Sequence, residues 1–274
     1  MITDTVSTNQ PMDQSAIEQT NYLINYTLHL ADNVSIIGHK CGEWCGHGPI
    51  LEQDIAISNV ALDYIGQARM LYQYAAEIIN ETTNQQNNFL ANQPATEDSL
   101  AYLRDATEFK NLLLTELPNG DWANTVLRLF FFSSYQYFLY QQLQFCTNER
   151  LAAIASKAIK EVAYHVRWSA DWVIRLGDGT DESKRRIEQA IENLWPYTGE
   201  LLEPINDRLG FVDATIIKAE WHKKVATIFE EAILLMPQNS WMQSGGFKGN
   251  HTEHLGFILA EMQFLQRAYP NSNW

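Results

Sequence analysis

Four stretches of this sequence repeat apolar side chains at every third or fourth position for about 25 residues each, against a usual mean helix length of about 11 to 12. Such a chain packs as long helices. The first stretch runs from about Ser15 to Cys41, with Leu23, Tyr26, Leu30, Val34 and Ile37 on one side, until Gly42, Gly46, Gly48 and Pro49 break it. A second helix is expected from about Pro49 to Ile79, with Pro49 near its first turn. The polar stretch from Asn80 to Glu97, rich in Asn, Gln and Thr, ends it, and a shorter third helix follows from about Asp98 to Thr115. Leu117-Pro118-Asn119-Gly120-Asp121 reads as a turn whose Asp121 caps a fourth helix reaching roughly Cys146. Thr147-Asn148 starts a fifth, which ends near Leu176-Gly177. Further helices are expected at about Asp181 to Trp195, Ala214 to Met236 and Asn250 to Ala268, and strand signals are scarce.

The long helices form two closely linked pairs, first with second and fourth with fifth, joined by the stretch from Asn80 to Gly120. Two helical hairpins with one long crossover is the connectivity of ferritin-like bundles. The expected fold is therefore all-α, a ferritin-like four-helix bundle with additional C-terminal helices. Its 274 residues, 46% hydrophobic, are ample for one large core. Residues 1–15 are polar and carry Asp4 and Asp13, so they read as a disordered tail and not a secretory signal, which leaves 16–274 as a single domain. A formal charge of −14 opposes binding to nucleic acid or to an anionic membrane, because both need clustered Lys and Arg. The most apolar segment, Leu127 to Leu143, is interrupted by Arg128, Ser133, Ser134, Gln136, Gln141 and Gln142, so no membrane span is expected. Three cysteines fit reduced thiols in a cytoplasmic protein.

A ferritin-like metal site takes a Glu from each of two helices and a Glu-x-x-His from each of the other two. The inward face of the second helix reads Ile57, Val60, Ala61, Tyr64, Ala68, Leu71 and Ala75, so its slot is Tyr64-Ile65-Gly66-Gln67. The fifth reads Leu151, Ala155, Ala158, Val162, His165, Ser169, Val173 and Leu176, and its slot is Val162-Ala163-Tyr164-His165. Gln67-Ala68-Arg69 echoes His165-Val166-Arg167. From Thr125 to Cys146 there is no Asp or Glu at all, whereas iron or manganese needs several carboxylate oxygens. An intact di-iron site is therefore not expected. Tyr64 should fill the space of the metal, its hydroxyl bonded to Gln67 or His165. Asp63 with Gln67, and Glu161 with His165, sit four apart and should form structural hydrogen bonds.

Other constellations are weaker. His39, Cys41, Glu43, Cys45 and His47 include a Cys-x3-Cys spacing compatible with zinc, but the glycines around them mark a helix end and a turn. His251-Thr252-Glu253-His254 lacks metalloprotease spacing and fits helix capping or an interface contact. Ser244-Gly245-Gly246-Phe247-Lys248-Gly249 follows no strand, so it is no phosphate loop; a mobile loop at an interface between chains is the alternative. No Ser-His-Asp or catalytic Cys-His arrangement is defensible.

A resemblance rests on Glu43-Trp44-Cys45-Gly46-His47, Ala61-Leu62-Asp63-Tyr64-Ile65-Gly66-Gln67-Ala68-Arg69, Pro118-Asn119-Gly120-Asp121, Val173-Ile174-Arg175-Leu176-Gly177-Asp178-Gly179-Thr180 and His251-Thr252-Glu253-His254-Leu255-Gly256. In these segments, and in their order, the chain resembles the PaaC subunits of bacterial phenylacetyl-CoA epoxidases over almost its whole length beyond the tail. The resemblance implies a non-catalytic subunit that partners a homologous one, PaaA. PaaA carries the di-iron centre and inserts one oxygen atom of O2 into the ring of phenylacetyl-CoA. Electrons would come from NADPH through a separate reductase with FAD and an iron-sulfur cluster. The ligand-bearing segment of PaaA looks like Asp-Glu-x-Gly-His, so Tyr64 stands where its Glu would be and Gln67 where its His would be. The first-helix ligand Glu matches Ser35. Ser35, Tyr64, Gln67, Val162 and His165 are thus the degenerate di-iron positions, with no catalytic residue, cofactor or metal expected in this chain. Trp195, Tyr197, Trp221, Phe229, Trp241, Phe247, Phe257 and Phe264 lie outside the four bundle helices, where they can serve an interface with PaaA and other epoxidase subunits or pack the later helices. A homo-oligomer is the alternative assembly for the chain when isolated. The alternatives are an autonomous metalloenzyme with atypical ligands around His165 and Glu161, and a regulator that binds a CoA ligand.

Overall fold

The computed structural model describes residues 14–83, 94–203, 209–238, 241–270 and 272. In chain order it contains α1 (Gln14–Gly42), α2 (Leu51–Thr83), the short α3 (Glu97–Tyr102) and α4 (Leu113–Glu116), α5 (Trp122–Leu143), α6 (Glu149–Gly177), α7 (Asp181–Leu194), α8 (Ala214–Glu231), α9 (Glu253–Met262) and α10 (Phe264–Ala268). No strand occurs among the described residues. Helix α1 packs along α2 and α5 along α6, and the two hairpins close through α2 and α6. The result is the all-α, ferritin-like connectivity, with α7 to α10 added after the bundle. No helix among the described residues is long and apolar enough to cross a membrane. The tail expected at 1–15 lies outside the described residues, except that Gln14 and Ser15 already belong to α1.

Local chemistry explains most of the helix ends. Asp121 accepts the Asn124 N–H at 3.0 Å and starts α5, and Asn148 accepts the Leu151 N–H at 3.0 Å and starts α6. Thr180 and Thr252 cap α7 and α9 in the same way. At one end of the bundle the turn after α1 is pinned by Trp44, whose ring meets Trp122 at 5.1 Å and whose indole N–H donates to the Thr125 hydroxyl at 2.9 Å.

The structure departs from the expected elements at four places. Helix α2 continues to Thr83, because Asn80 pairs with the backbone of Ala95 in both directions (2.9 and 2.8 Å) and does not terminate the helix. The expected helix from Asp98 to Thr115 is broken into α3, a 3-10 turn at Ala106–Glu108 and α4. Its backbone is recruited by α1: the Lys110 N–H donates to Asp32 at 2.8 Å and the Leu112 N–H to Asn33 at 2.7 Å. Helix α8 stops at Glu231 instead of Met236, because the Leu234 N–H turns back to the Phe229 carbonyl at 2.8 Å and Ile233 takes φ 55°. The last expected helix splits at Gln263, whose amide donates to the Arg104 carbonyl at 2.9 Å.

The main core fills the bundle and extends over the outer side of α5. There Phe131 packs against Trp195, Trp221 and Phe229, and the Trp221 indole N–H donates to the Phe131 carbonyl at 2.9 Å. Trp195, Trp221 and Phe229 therefore attach the later helices, while Trp241, Phe257 and Phe264 are exposed. A smaller core of Ile36, Phe109, Leu255, Ile258 and Leu259 seats α9 on the crossover.

Candidate functional site

Every inward position read from α2 (Ile57, Val60, Ala61, Tyr64, Ala68, Leu71 and Ala75) is buried, and so are those of α6 from Leu151 to Val173. At mid-height the two slots meet. Tyr64 is fully buried, its ring 4.7 Å from that of His165 and 5.9 Å from Phe132 of α5. Burial pushes its phenol well above the usual range, with smaller contributions from Cys41, Tyr140 and Asp63. The aromatic ring thus occupies the centre. Its hydroxyl has no hydrogen-bond partner, contrary to the expected bond to Gln67 or His165.

The polar pairs differ from expectation as well. Asp63 does not bond Gln67, and Glu161 does not bond His165; each crosses to the other helix. The His165 Nε2–H donates to Asp63 Oδ2 at 3.0 Å, and the Gln67 amide donates to Glu161 Oε2 at 3.0 Å. Because α2 and α6 run antiparallel, i and i+4 on one helix face i+4 and i on the other, and two cross-helix bonds replace two intrahelical ones. Gln136 of α5 completes a three-helix chain by donating to Gln67 Oε1 at 2.9 Å. Periodicity does not single out Gln136; its only signal is a long polar side chain inside an apolar run. Val162 is fully buried beside this chain and offers no donor. Ser35 is buried on α1, where its hydroxyl meets that of Tyr72.

This donor set does not fit a di-iron centre. Helix α5 brings an amide, a serine and a tyrosine (Gln136, Ser133, Tyr140) but no carboxylate. The two carboxylates near the slots are already engaged, and Asp63 is 34% exposed, toward the rim instead of the axis. Among the described residues no three His, Cys, Asp or Glu side chains are grouped closely enough to hold a metal ion.

One turn along α1 lies a second buried cluster that residue patterns did not reveal. Asp32 accepts from the Tyr72 hydroxyl at 2.6 Å, from both terminal nitrogens of Arg104 and from the Lys110 N–H. Burial would lower the Arg104 pKa, but Asp32, joined by Tyr72 and Glu108, more than offsets this and raises it. Beside it, the His29 Nδ1–H donates to the Lys110 carbonyl at 2.6 Å and Nε2 accepts from Asn33 at 3.1 Å, so the ring is neutral; burial lowers its pKa to about 4. These groups tie the crossover to α1.

The remaining constellations are structural in their contacts. Cys41 is buried, and burial raises its thiol to about 12. Glu43 pairs with Lys40 at 2.6 Å and accepts from Asn119 at 2.8 Å, while Cys45 and His47 are exposed. The glycine-rich 244–249 segment is pinned: the N–H groups of Gly245 and Gly246 donate to Glu200 Oε1 at 2.9 and 2.7 Å. His251 does not cap α9 but bonds Glu116 of α4.

The chain is 43% identical over 260 residues to the C subunit of the 1,2-phenylacetyl-CoA epoxidase of Escherichia coli (strain K12), a match covering 93% of this chain and 100% of that relative. The family model described as phenylacetic acid catabolic protein matches residues 5–274, and the chain belongs to that family.

Proposed function

We propose that this chain is the non-catalytic, structural subunit of a multicomponent phenylacetyl-CoA epoxidase in aerobic phenylacetate breakdown. In this reading it supports a homologous subunit, PaaA, which holds the di-iron centre, while a reductase with FAD and an iron-sulfur cluster supplies electrons from NADPH. One observation carries the reading. The centre of the bundle is filled by the Tyr64 ring and bridged by the neutral amides of Gln67 and Gln136, where a di-iron protein needs carboxylates. The naming of the Escherichia coli relative as one subunit of an epoxidase supports the assembly. A bundle without such chemistry serves the reaction by holding another chain, and exposed Leu51, Ile55 and Leu62 on α2, with Phe257 and Phe264 beyond it, leave apolar surface for one. Elemental analysis of the chain purified alone after growth in iron-rich medium tests the reading. No stoichiometric iron is expected, and two iron atoms per chain would overturn it.

A further inference from the structure

The C-terminal segment 245–268 is attached to the crossover separately from the main core. Its apolar footing is the small cluster of Ile36, Phe109, Leu255, Ile258 and Leu259. Its polar footing centres on His251, whose side chain is 5% exposed. Nδ1 lies 2.8 Å from Glu116 Oε2 and Nε2 lies 2.9 Å from the Phe109 carbonyl. Both neighbours only accept, so both ring nitrogens must carry protons for both bonds to exist. The same Glu116 carboxylate accepts the Thr252 N–H at 2.6 Å and the Asn111 amide at 2.8 Å, so His251 and Thr252 are both held by one carboxylate, while Gln263 and Arg267 tie the far end of the segment to the Arg104 carbonyl at 2.9 Å each.

We propose that the segment 245–268 is a proton-controlled latch, closed on the crossover while His251 is doubly protonated and opening as a unit, with the bundle still folded, once one of those protons is lost. The charged groups around the ring fit this. Glu116 faces it from α4, and Asp32 of α1 acts on it from farther away but is already neutralised by Arg104. On its own segment Lys248 and Glu253 point to solvent. Glu200 holds the start of the latch through backbone N–H groups, a contact independent of His251. Burial alone would lower the His251 pKa, but the bonds to Glu116 and Phe109 raise it above 6.5. The contribution is therefore complete below about pH 6.5 and is lost as the pH rises through the higher folded value. Deprotonation leaves one acceptor facing another. Opening would bare the apolar cluster on α1 and the crossover.

Hydrogen exchange measured at about pH 6 and about pH 9, corrected for intrinsic rates, tests the latch. Peptides covering α9 should lose protection by about tenfold or more, the worth of one charge-assisted hydrogen bond, while peptides of α5 keep theirs. In His251→Gln the difference between the two pH values should vanish. Should that variant fail to fold, the ring 15N resonances of the wild-type protein give the same answer: His251 should lose a ring proton at the pH where α9 opens. Equal behaviour of α9 and α5, or an α9 whose protection ignores pH while His251 titrates, would overturn the proposal.

Discussion

Tyr64→Phe probes the centre of the bundle with the smallest available change. The Tyr64 hydroxyl is buried without a hydrogen-bond partner, and an unmade bond of this kind costs about 1 to 3 kcal/mol. Deleting the oxygen leaves the ring contacts with His165 and Phe132 in place. The void left behind, about 10 Å3 at about 24 cal/mol per Å3, takes back only a few tenths of a kcal/mol. The variant should therefore be more stable than the wild type, by about 1 kcal/mol. Urea unfolding at neutral pH with an unchanged slope is the assay. A loss of about 1 kcal/mol or more would refute the reasoning, because it would mean that the hydroxyl is satisfied. Tyr64→Glu is the counterpart: a carboxylate set among Phe132, Val162 and His165 should destabilise the fold by several kcal/mol unless it takes up a proton.

Three further outcomes follow from the buried polar groups and the backbone. Arg104→Ala strands Asp32 in the core and removes a guanidinium lying 4.2 Å from the Phe109 ring, so a loss of about 3 to 5 kcal/mol is expected in chemical denaturation. Ile233→Gly should stabilise the protein by about 1 kcal/mol in the same assay: a β-branched residue at φ 55° is strained by about 1 to 2 kcal/mol, and its side chain, 61% exposed, gives up little burial. His29, neutral in the fold down to a pKa of about 4, should remove about 3 kcal/mol of stability as the pH falls from 6.5 to 4, since only the unfolded chain takes up the proton over that interval. His29→Gln should flatten that limb of the stability profile, and an unchanged limb would place its cause elsewhere.

The long helices were legible because burial imposes a period on sequence. The inward faces of α2 and α6 came out residue by residue, and Asp121 and Asn148 marked helix starts by local hydrogen bonding that a sequence displays directly. The crossover from 98 to 115 was not legible. Its shape is dictated by Asp32 and Asn33, which lie about 80 residues earlier and draw the Lys110 and Leu112 N–H groups out of any helix. The same limit applies at the site. Periodicity places Asp63, Gln67, Glu161 and His165 on facing surfaces, but only the antiparallel register decides that Asp63 takes His165 and Glu161 takes Gln67. Ile233 is illegible for a different reason, since the left-handed position it occupies is usually marked by glycine.

The proposed role rests on dependence between two chains, and the molar mass of a mixture tests it most directly. This chain and the proposed metal-bearing homologue, each purified and then combined, should give by light scattering a single complex in equal ratio, with phenylacetyl-CoA epoxidation only when both are present. An obligate contact of that kind buries on the order of 2,000 Å2 or more, enough to survive dilution during the measurement. A homologue that stays unassociated, stable and fully active on its own would contradict the account.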